Sequence, residues 1–266
     1  MSTLTAAPLV ETEASAVQVR DVSKSFRTRR RSHRAALEGV DLDIAPGEFL
    51  CLLGPSGCGK STLLNILAGF DFPDSGEVLV GGRPVTGPGP DRGVLFQTPR
   101  LFPWLTTWQN VLYGPRARGL LTPALRDEAA GLLETVGLSD ARDAYPHELS
   151  GGMRHRAAFA RVLINHPGVL LMDEPFGALD AITRANLQRF LLSLWQERRT
   201  TIVFVTHDVE EATLLGDRVA VLSGSPGRTK SILDAGLPRP RSYDDTETLE
   251  FVTAKRRIRE VLEAAP

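Results

Sequence analysis

The chain has 266 residues, with 31 lysines and arginines against 32 aspartates and glutamates, so its net charge is −1. Hydrophobic residues make up 42% and charged residues 24%, the mixture of an ordinary globular protein of one large or two modest domains. The charge balance argues against a protein that coats nucleic acid through its field. Two cysteines rule out a disulfide framework, and no stretch approaches the roughly 18 consecutive apolar residues of a membrane span.

Residues 1–16 lack a basic segment and a sustained apolar run, and read as a disordered tail rather than a signal peptide. Residues 17–26 and 36–44 alternate as strands do, with a basic hairpin loop, 27–34, between them. The loop's Arg27, Arg29, Arg30, Arg31 and Arg34 read as a solvated turn rather than a nucleic-acid or lipid site, because the rest of the surface balances them. Phe49-Leu50-Cys51-Leu52-Leu53 is short and fully apolar, as a strand buried on both faces must be. A Gly-rich turn, 54–59, leads into a helix from Lys60 that Gly69 would stop. Short strands and Gly/Pro turns fill 73–96. From about 97 to 167 the pattern is helical: one helix starts at Thr122-Pro123 and ends at Gly137, and a second starts near Ser150 and stops at His166-Pro167. Val169–Met172 is another buried strand. Residues 181–199 form a long helix with Leu187, Phe190, Leu191, Leu194 and Trp195 on one core-facing side. Thr201–Val205 is a third apolar strand, 208–216 a short helix, and Leu249–Leu262 a terminal helix. Strands alternating with helices predict a parallel sheet.

Residues 54–61, Gly54-Pro55-Ser56-Gly57-Cys58-Gly59-Lys60-Ser61, fit G-x-x-x-x-G-K-[ST], the P-loop. Glycines let backbone N–H groups close around phosphate oxygens, and the helix start adds a partial positive charge. Lys60 reaches the β- and γ-phosphates, the Ser61 hydroxyl can ligate Mg²⁺, and Thr62 completes the cradle. Met172-Asp173-Glu174 then ends a strand in two acids: Asp173 for the Mg²⁺ site and Glu174 to take a proton from an attacking water. Cys58 reads first as a small residue filling a tight loop; its place at a helix start and near Lys60 also predicts a thiol whose alkylation would abolish turnover, with ATP protecting. His33, His147, His155 and His166 show no metal spacing.

Further motifs follow in a fixed order: Gln97 after a strand, Leu149-Ser150-Gly151-Gly152, Gly177-Ala178-Leu179-Asp180, and His207 after another strand. With the P-loop and the acid pair, they resemble the nucleotide-binding subunit of an ABC transporter, over roughly 17–235. The resemblance implies an α/β P-loop NTPase core with a parallel sheet, a flanking antiparallel β layer and a helical subdomain at about 97–167, followed by a C-terminal extension, 236–266. It implies ATP and Mg²⁺ as ligands. Phe26 would stack on adenine, Gln97 would sense Mg²⁺ and water, and His207 would contact the γ-phosphate. Ser150, Gly151 and Gly152 would contact the nucleotide of the other subunit of a homodimer, and Asp180 would lie in a loop crossing the dimer interface. A helix start at Ser150 suits this, since it offers free N–H groups to an anion. Met153 and His155 stand where glutamines are usual, and His155 could add pH sensitivity; Phe26 replaces the usual tyrosine.

The segments 87–93, Gly-Pro-Gly-Pro-Asp-Arg-Gly, and 101–104, Leu-Phe-Pro-Trp, are similar to importers of the nitrate, sulfonate and taurine group. In these, two ATPases sit at the cytoplasmic face of the inner membrane on integral membrane permease subunits. A periplasmic or extracellular substrate-binding protein is an indirect partner, and no nucleic acid is involved. Phe102, Trp104 and Leu105 would then line a groove for a short helix of the membrane partner. Two alternatives stay open: a soluble ABC ATPase of translation or repair, against which the single cassette counts, and a P-loop kinase or GTPase, against which the Ser150 segment and His207 count.

Overall fold

The computed structural model describes residues 14–27, 33–177 and 179–264; residues 1–13, the loop arginines Arg29–Arg31 and Ala178 lie outside them. Two sheets organise the chain. The first is antiparallel, in the order β2-β1-β4-β5, from β1 (Val17–Arg27), β2 (His33–Ile44), β4 (Ser75–Val80) and β5 (Arg83–Pro84). The second has the order β10-β9-β3-β8-β7-β6. Its strands are β3 (Phe49–Leu53), β6 (Arg92–Leu95), β7 (Val169–Asp173), β8 (Thr201–Thr206), β9 (Arg218–Ser223) and β10 (Arg228–Asp234).

The apolar run 49–53 is buried at all five positions, as its composition predicts. Its pleat divides it between two cores. Leu50 and Leu52 face the antiparallel layer together with Leu63, Leu64 and Leu67 of α1 (Lys60–Ala68). Phe49, Cys51 and Leu53 face the opposite core, as period-two alternation requires. That second core is closed by α5 (Gly151–Leu163), α6 (Ala181–Arg198) and α7 (Val209–Leu215). The stripe on α6 packs there: Leu187, Leu191, Leu194 and Trp195 are buried, and Phe190 lies against them.

Alternation predicts an all-parallel second sheet, whereas β10 runs antiparallel along β9 at its edge. Strands β9 and β10 carry no predicted counterpart; β9 directly follows α7 with only Gly216 and Asp217 between, so no turn cluster announces it. The helix from Thr122 is α4 (Pro123–Thr135), with Thr122 accepting from the Leu125 amide and Gly137 at φ +64° just beyond. Helix α5 ends at Leu163, three residues short of His166. Two five-residue helices, α2 (Thr107–Val111) and α3 (Tyr113–Ala117), were not expected from periodicity. The start of α2 has a local signal, since Thr106 and Gln109 form a reciprocal capping box. Helix α8 (Leu249–Glu263) packs Phe251, Ala254 and Ile258 against α7 and β9.

Candidate active site

Strand β3 runs straight into the loop 54–59, and α1 begins at Lys60. Gly59 precedes the helix at φ +92°, and a Cβ there would lie 2.6 Å from both the Ala36 carbonyl oxygen and Leu37. Angle and space both demand glycine at this one position. Lys60 is buried, and its ammonium donates to the carbonyls of Gly54 at 2.6 Å and Pro55 at 3.0 Å, across the mouth of the loop. An entering anion meets a held cation and the free amides of the helix start.

Over this loop lies a cleft of about 520 Å³ with Phe26, Ser56, Gly57, Lys60, Ser61, Thr62 and Glu174 among its walls. Phe26 is 43% exposed at the end of β1, so its ring face is open to a planar ligand, and the Lys24 ammonium sits 5.4 Å from its centroid.

The parallel pairing of β7 with β8 and β6 brings three chemical groups to one end of the sheet. Asp173 ends β7 and accepts a hydrogen bond from the Ser61 hydroxyl at 3.0 Å. Burial pushes its carboxyl above the ordinary carboxylate range; the Ser61 bond opposes this, and the neighbouring Glu174 charge adds to it. Glu174 has φ +44°, a conformation rare for a side-chain-bearing residue, held by its amide donating to the Val205 carbonyl at 3.0 Å. Its Oε2 lies 3.1 Å from Nδ1 of His207, the residue immediately after β8. Gln97 is exposed two residues beyond β6, whose Leu95 pairs with Met172.

Ser61 Oγ and Asp173 Oδ1 are 3.0 Å apart, close to the roughly 2.9 Å between adjacent ligands of an octahedral ion with 2.0–2.1 Å bonds. A dication between them would also relieve the buried carboxylate. Among the described residues no group of three or more His, Cys, Asp and Glu could hold a metal. Two protein oxygens supplemented by phosphate oxygens are the arrangement that suits Mg²⁺.

The remaining expected residues lie outside this cleft. Ser150 caps α5, accepting from the Met153 amide at 3.2 Å, and leaves the Gly151 and Gly152 amides without helical partners. Asp180 caps α6 through the Thr183 amide at 3.0 Å, and the amides donating to it hold its carboxyl below the usual range. A Cβ on Gly152 would lie 3.4 Å from Thr183, so the two helix starts are neighbours and form a second anion-receptive edge.

The Cys58 thiol is 1% exposed and packs where a Cβ on Gly54 would meet it at 2.8 Å, so it fills the interior of the tight loop. One expectation is corrected. His155 is buried, and burial pushes its imidazole below the ordinary histidine value, so it stays neutral at physiological pH instead of sensing it. Sequence reasoning also missed wall residues. Arg34, read as part of a solvated loop, lines the cleft and its guanidinium reaches Ser225 Oγ at 3.4 Å. Ser225 lies in the β9–β10 turn, 164 positions beyond Ser61 in the chain (225 − 61), and nothing local marks it.

The family model described as ABC transporter matches residues 37–177. The chain is 45% identical over 243 residues to the aliphatic sulfonates import ATP-binding protein SsuB of Bacillus subtilis, covering 91% of this chain and 92% of that one. It is 47% identical over 222 residues to the nitrate import ATP-binding protein NrtD of a Synechocystis strain, covering 84% and 83%. Among solved structures, a dimeric post-hydrolysis state of the ATP-binding cassette MJ0796, bound to ADP and Pi, matches with TM-score 0.74 and 32% identity over 84% of this chain and all of that one.

Proposed function

The chain belongs to the ABC transporter family and is an ATP-binding subunit that hydrolyses ATP; from that premise we propose that it energises an importer of nitrate, sulfonate, taurine or a similar small anion. The observation that carries the ATPase chemistry is the convergence of Lys60, the Ser61–Asp173 pair and the Glu174–His207 pair at one end of the sheet. The substrate class is supported by relatives named for sulfonate and nitrate import.

In this reading ATP lies in the cleft with adenine against Phe26 and its phosphates within the loop 54–59, where Lys60, Ser61 and Thr62 bind them. Ser61, Asp173 and Gln97 would hold Mg²⁺, which when bound would offset charge developing on the phosphates. Glu174 orients the attacking water and accepts its proton at Oε2, while the neighbouring His207 steadies the γ-phosphoryl group. Two copies close head to tail around two nucleotides, since the Ser150–Gly152 edge lies outside its own cleft and is free to complete the partner's. The relative solved as a dimer supports this pairing. The ATPase unit spans 17–235, with the helical subdomain at about 97–167 inserted in it and 236–266 as an extension.

Among the described residues no helix is long and apolar enough to cross a membrane. In this reading integral permease subunits form the transport path, with the ATPase seated on their cytoplasmic face. A substrate-binding protein on the far side delivers the anion. The docking site on this chain is the aromatic cluster of Phe102, Trp104 and Tyr113. Trp104 is 69% exposed, and the Phe102 ring lies 5.6 Å from Trp104 and 4.4 Å from Tyr113. Buried Asn110 fixes that loop, bonding both the amide and the carbonyl of Phe102. The test is recovery of tagged Glu174→Gln protein, with ATP, from detergent-solubilised native membranes. Co-recovery of a polytopic subunit supports the reading, and its identity narrows the anion; recovery of only ribosomes, nucleic acid or soluble proteins overturns it.

A further inference from the structure

We propose that Glu211 is a positioning residue for His207, holding the turn that presents its imidazole to Glu174 and tying that turn to α6. Glu211 lies in the first turn of α7 and is 8% exposed. Its carboxylate accepts two hydrogen bonds: from the Thr206 hydroxyl at 2.7 Å and from the Gln188 amide on α6 at 3.1 Å. Thr206 and Gln188 are themselves buried. The Thr206 hydroxyl in turn accepts from the Asp208 amide at 3.0 Å, and Asp208 caps α7 by accepting from the amides of Glu210 and Glu211. The residues on either side of His207 are thus fixed by one closed network, which carries His207 to where its Nδ1 lies 3.1 Å from Glu174 Oε2.

A carboxylate is a costly choice for this position. Its removal from water disfavours the charge, and Asp208 adds repulsion that nearby Arg184 offsets. An apolar side chain would pack α7 without that penalty. What the carboxylate adds is its two bonds, and both lead to the site. Thr206 ends β8 in register with Leu53, the last residue before the phosphate loop. Gln188 lies two turns along the helix capped by Asp180. A displacement of α6 at its dimer-facing start would therefore be passed through Gln188 and Glu211 to His207. Such an element moves as a unit because packed, hydrogen-bonded interiors deform in steps rather than smoothly.

The inference rests on the reading that His207 acts at the γ-phosphate, and the test separates the two. Full-length protein with ¹⁵N-labelled histidine rings is prepared as wild type, Glu211→Ala, Glu211→Gln, Thr206→Val and His207→Ala. ATP turnover and the ring signals of the five histidines are recorded for each, the missing signal in His207→Ala assigning His207. Glu211→Ala is expected to lower kcat about tenfold or more with KM for ATP within about threefold of wild type, and to move the His207 signal toward that of a free imidazole. Glu211→Gln keeps the length and accepts from Thr206, and its own amide donates to Gln188 once that side-chain amide turns over, so both contacts survive and kcat and signal are restored. Thr206→Val removes one hydroxyl isosterically and reproduces the alanine effect even where Glu211→Ala does not fold. An unmoved His207 signal in both Glu211→Ala and Thr206→Val, or a lost kcat without a moved signal, overturns the proposal. Full turnover in His207→Ala overturns the assignment of His207 instead, leaving the ring signals to report on Glu211.

Discussion

Glycine 227 offers a test of how tightly the phosphate loop is braced from a distant part of the chain. It lies in the β9–β10 turn, and its backbone is held on both sides, its amide donating to the Ala36 carbonyl and its carbonyl accepting from the Glu38 amide, each at 2.9 Å. A Cβ at this position would stand 3.0 Å from the Cys58 carbonyl carbon and well inside contact distance of its oxygen. Since carbon and oxygen normally stay about 3.3 Å apart or more, Gly227→Ala has to push the loop or the turn by about 1 Å. The turn cannot retreat without losing its two bonds to β2, so the phosphate loop yields. Overpacking of this kind costs about 1–3 kcal/mol of stability. A shift of that size misaligns one loop amide, its charge-assisted bond contributing about 1.5–3 kcal/mol, so ATP affinity should fall about tenfold to a hundredfold. Gly87→Ala is the control, because a Cβ there meets nothing within 4 Å and φ is not in the left-handed region. Titration calorimetry with ATP and urea unfolding read both effects. If Gly227→Ala binds ATP like wild type with an unchanged urea midpoint, the bracing argument is wrong.

Glu174→Gln should retain ATP affinity, lose about 10²–10⁴-fold in kcat and elute as a dimer on size exclusion with ATP; near-normal turnover would remove Glu174 from its role. Arg241 is 6% exposed and donates to the carbonyls of Thr213, Leu214, Gly216, Leu237 and Pro238. Arg241→Ala should therefore lower urea stability by about 3 kcal/mol through stranded carbonyls at the end of α7. Glu128 on α4 joins His166 at 2.9 Å and Arg198 of α6 at 2.8 Å. Burial raises its carboxyl, but the bonds from His166 and Arg198 outweigh it and leave it below its ordinary value. Its contribution is thus complete above about pH 4.5 and fades as pH falls through the lowered value. Glu128→Gln should be less stable than wild type by urea unfolding at pH 7, with the gap shrinking only as pH is lowered below about 4.5. Phe26→Ala should raise KM for ATP with little change in kcat, measured by steady-state ATPase assay; an unchanged KM would exclude adenine stacking on this ring.

The sequence by itself determined those parts of the protein whose chemistry is local. The phosphate loop needs glycines at left-handed angles followed by a helix start, all within eight consecutive residues, so 54–61 announced it. The helix starts at Thr122 and Ser150 were legible for the same reason, since each bonds an amide three residues on. The doubly buried strands β3, β7 and β8 were legible from apolarity alone. Tertiary structure decided what depends on strand order. Placing β8 between β3 and β7 sets His207 beside Glu174 and Asp173 beside Ser61, from segments up to 112 residues apart. The antiparallel turn of β10 onto β9 supplies Ser225 as a wall of the nucleotide cleft and sets Gly227 against the Cys58 carbonyl of the phosphate loop. Side-chain burial likewise turned Cys58 inward, because neighbours from β2 and the β9–β10 turn pack over the loop, and a spacing rule reads residue types in order without seeing what closes over them.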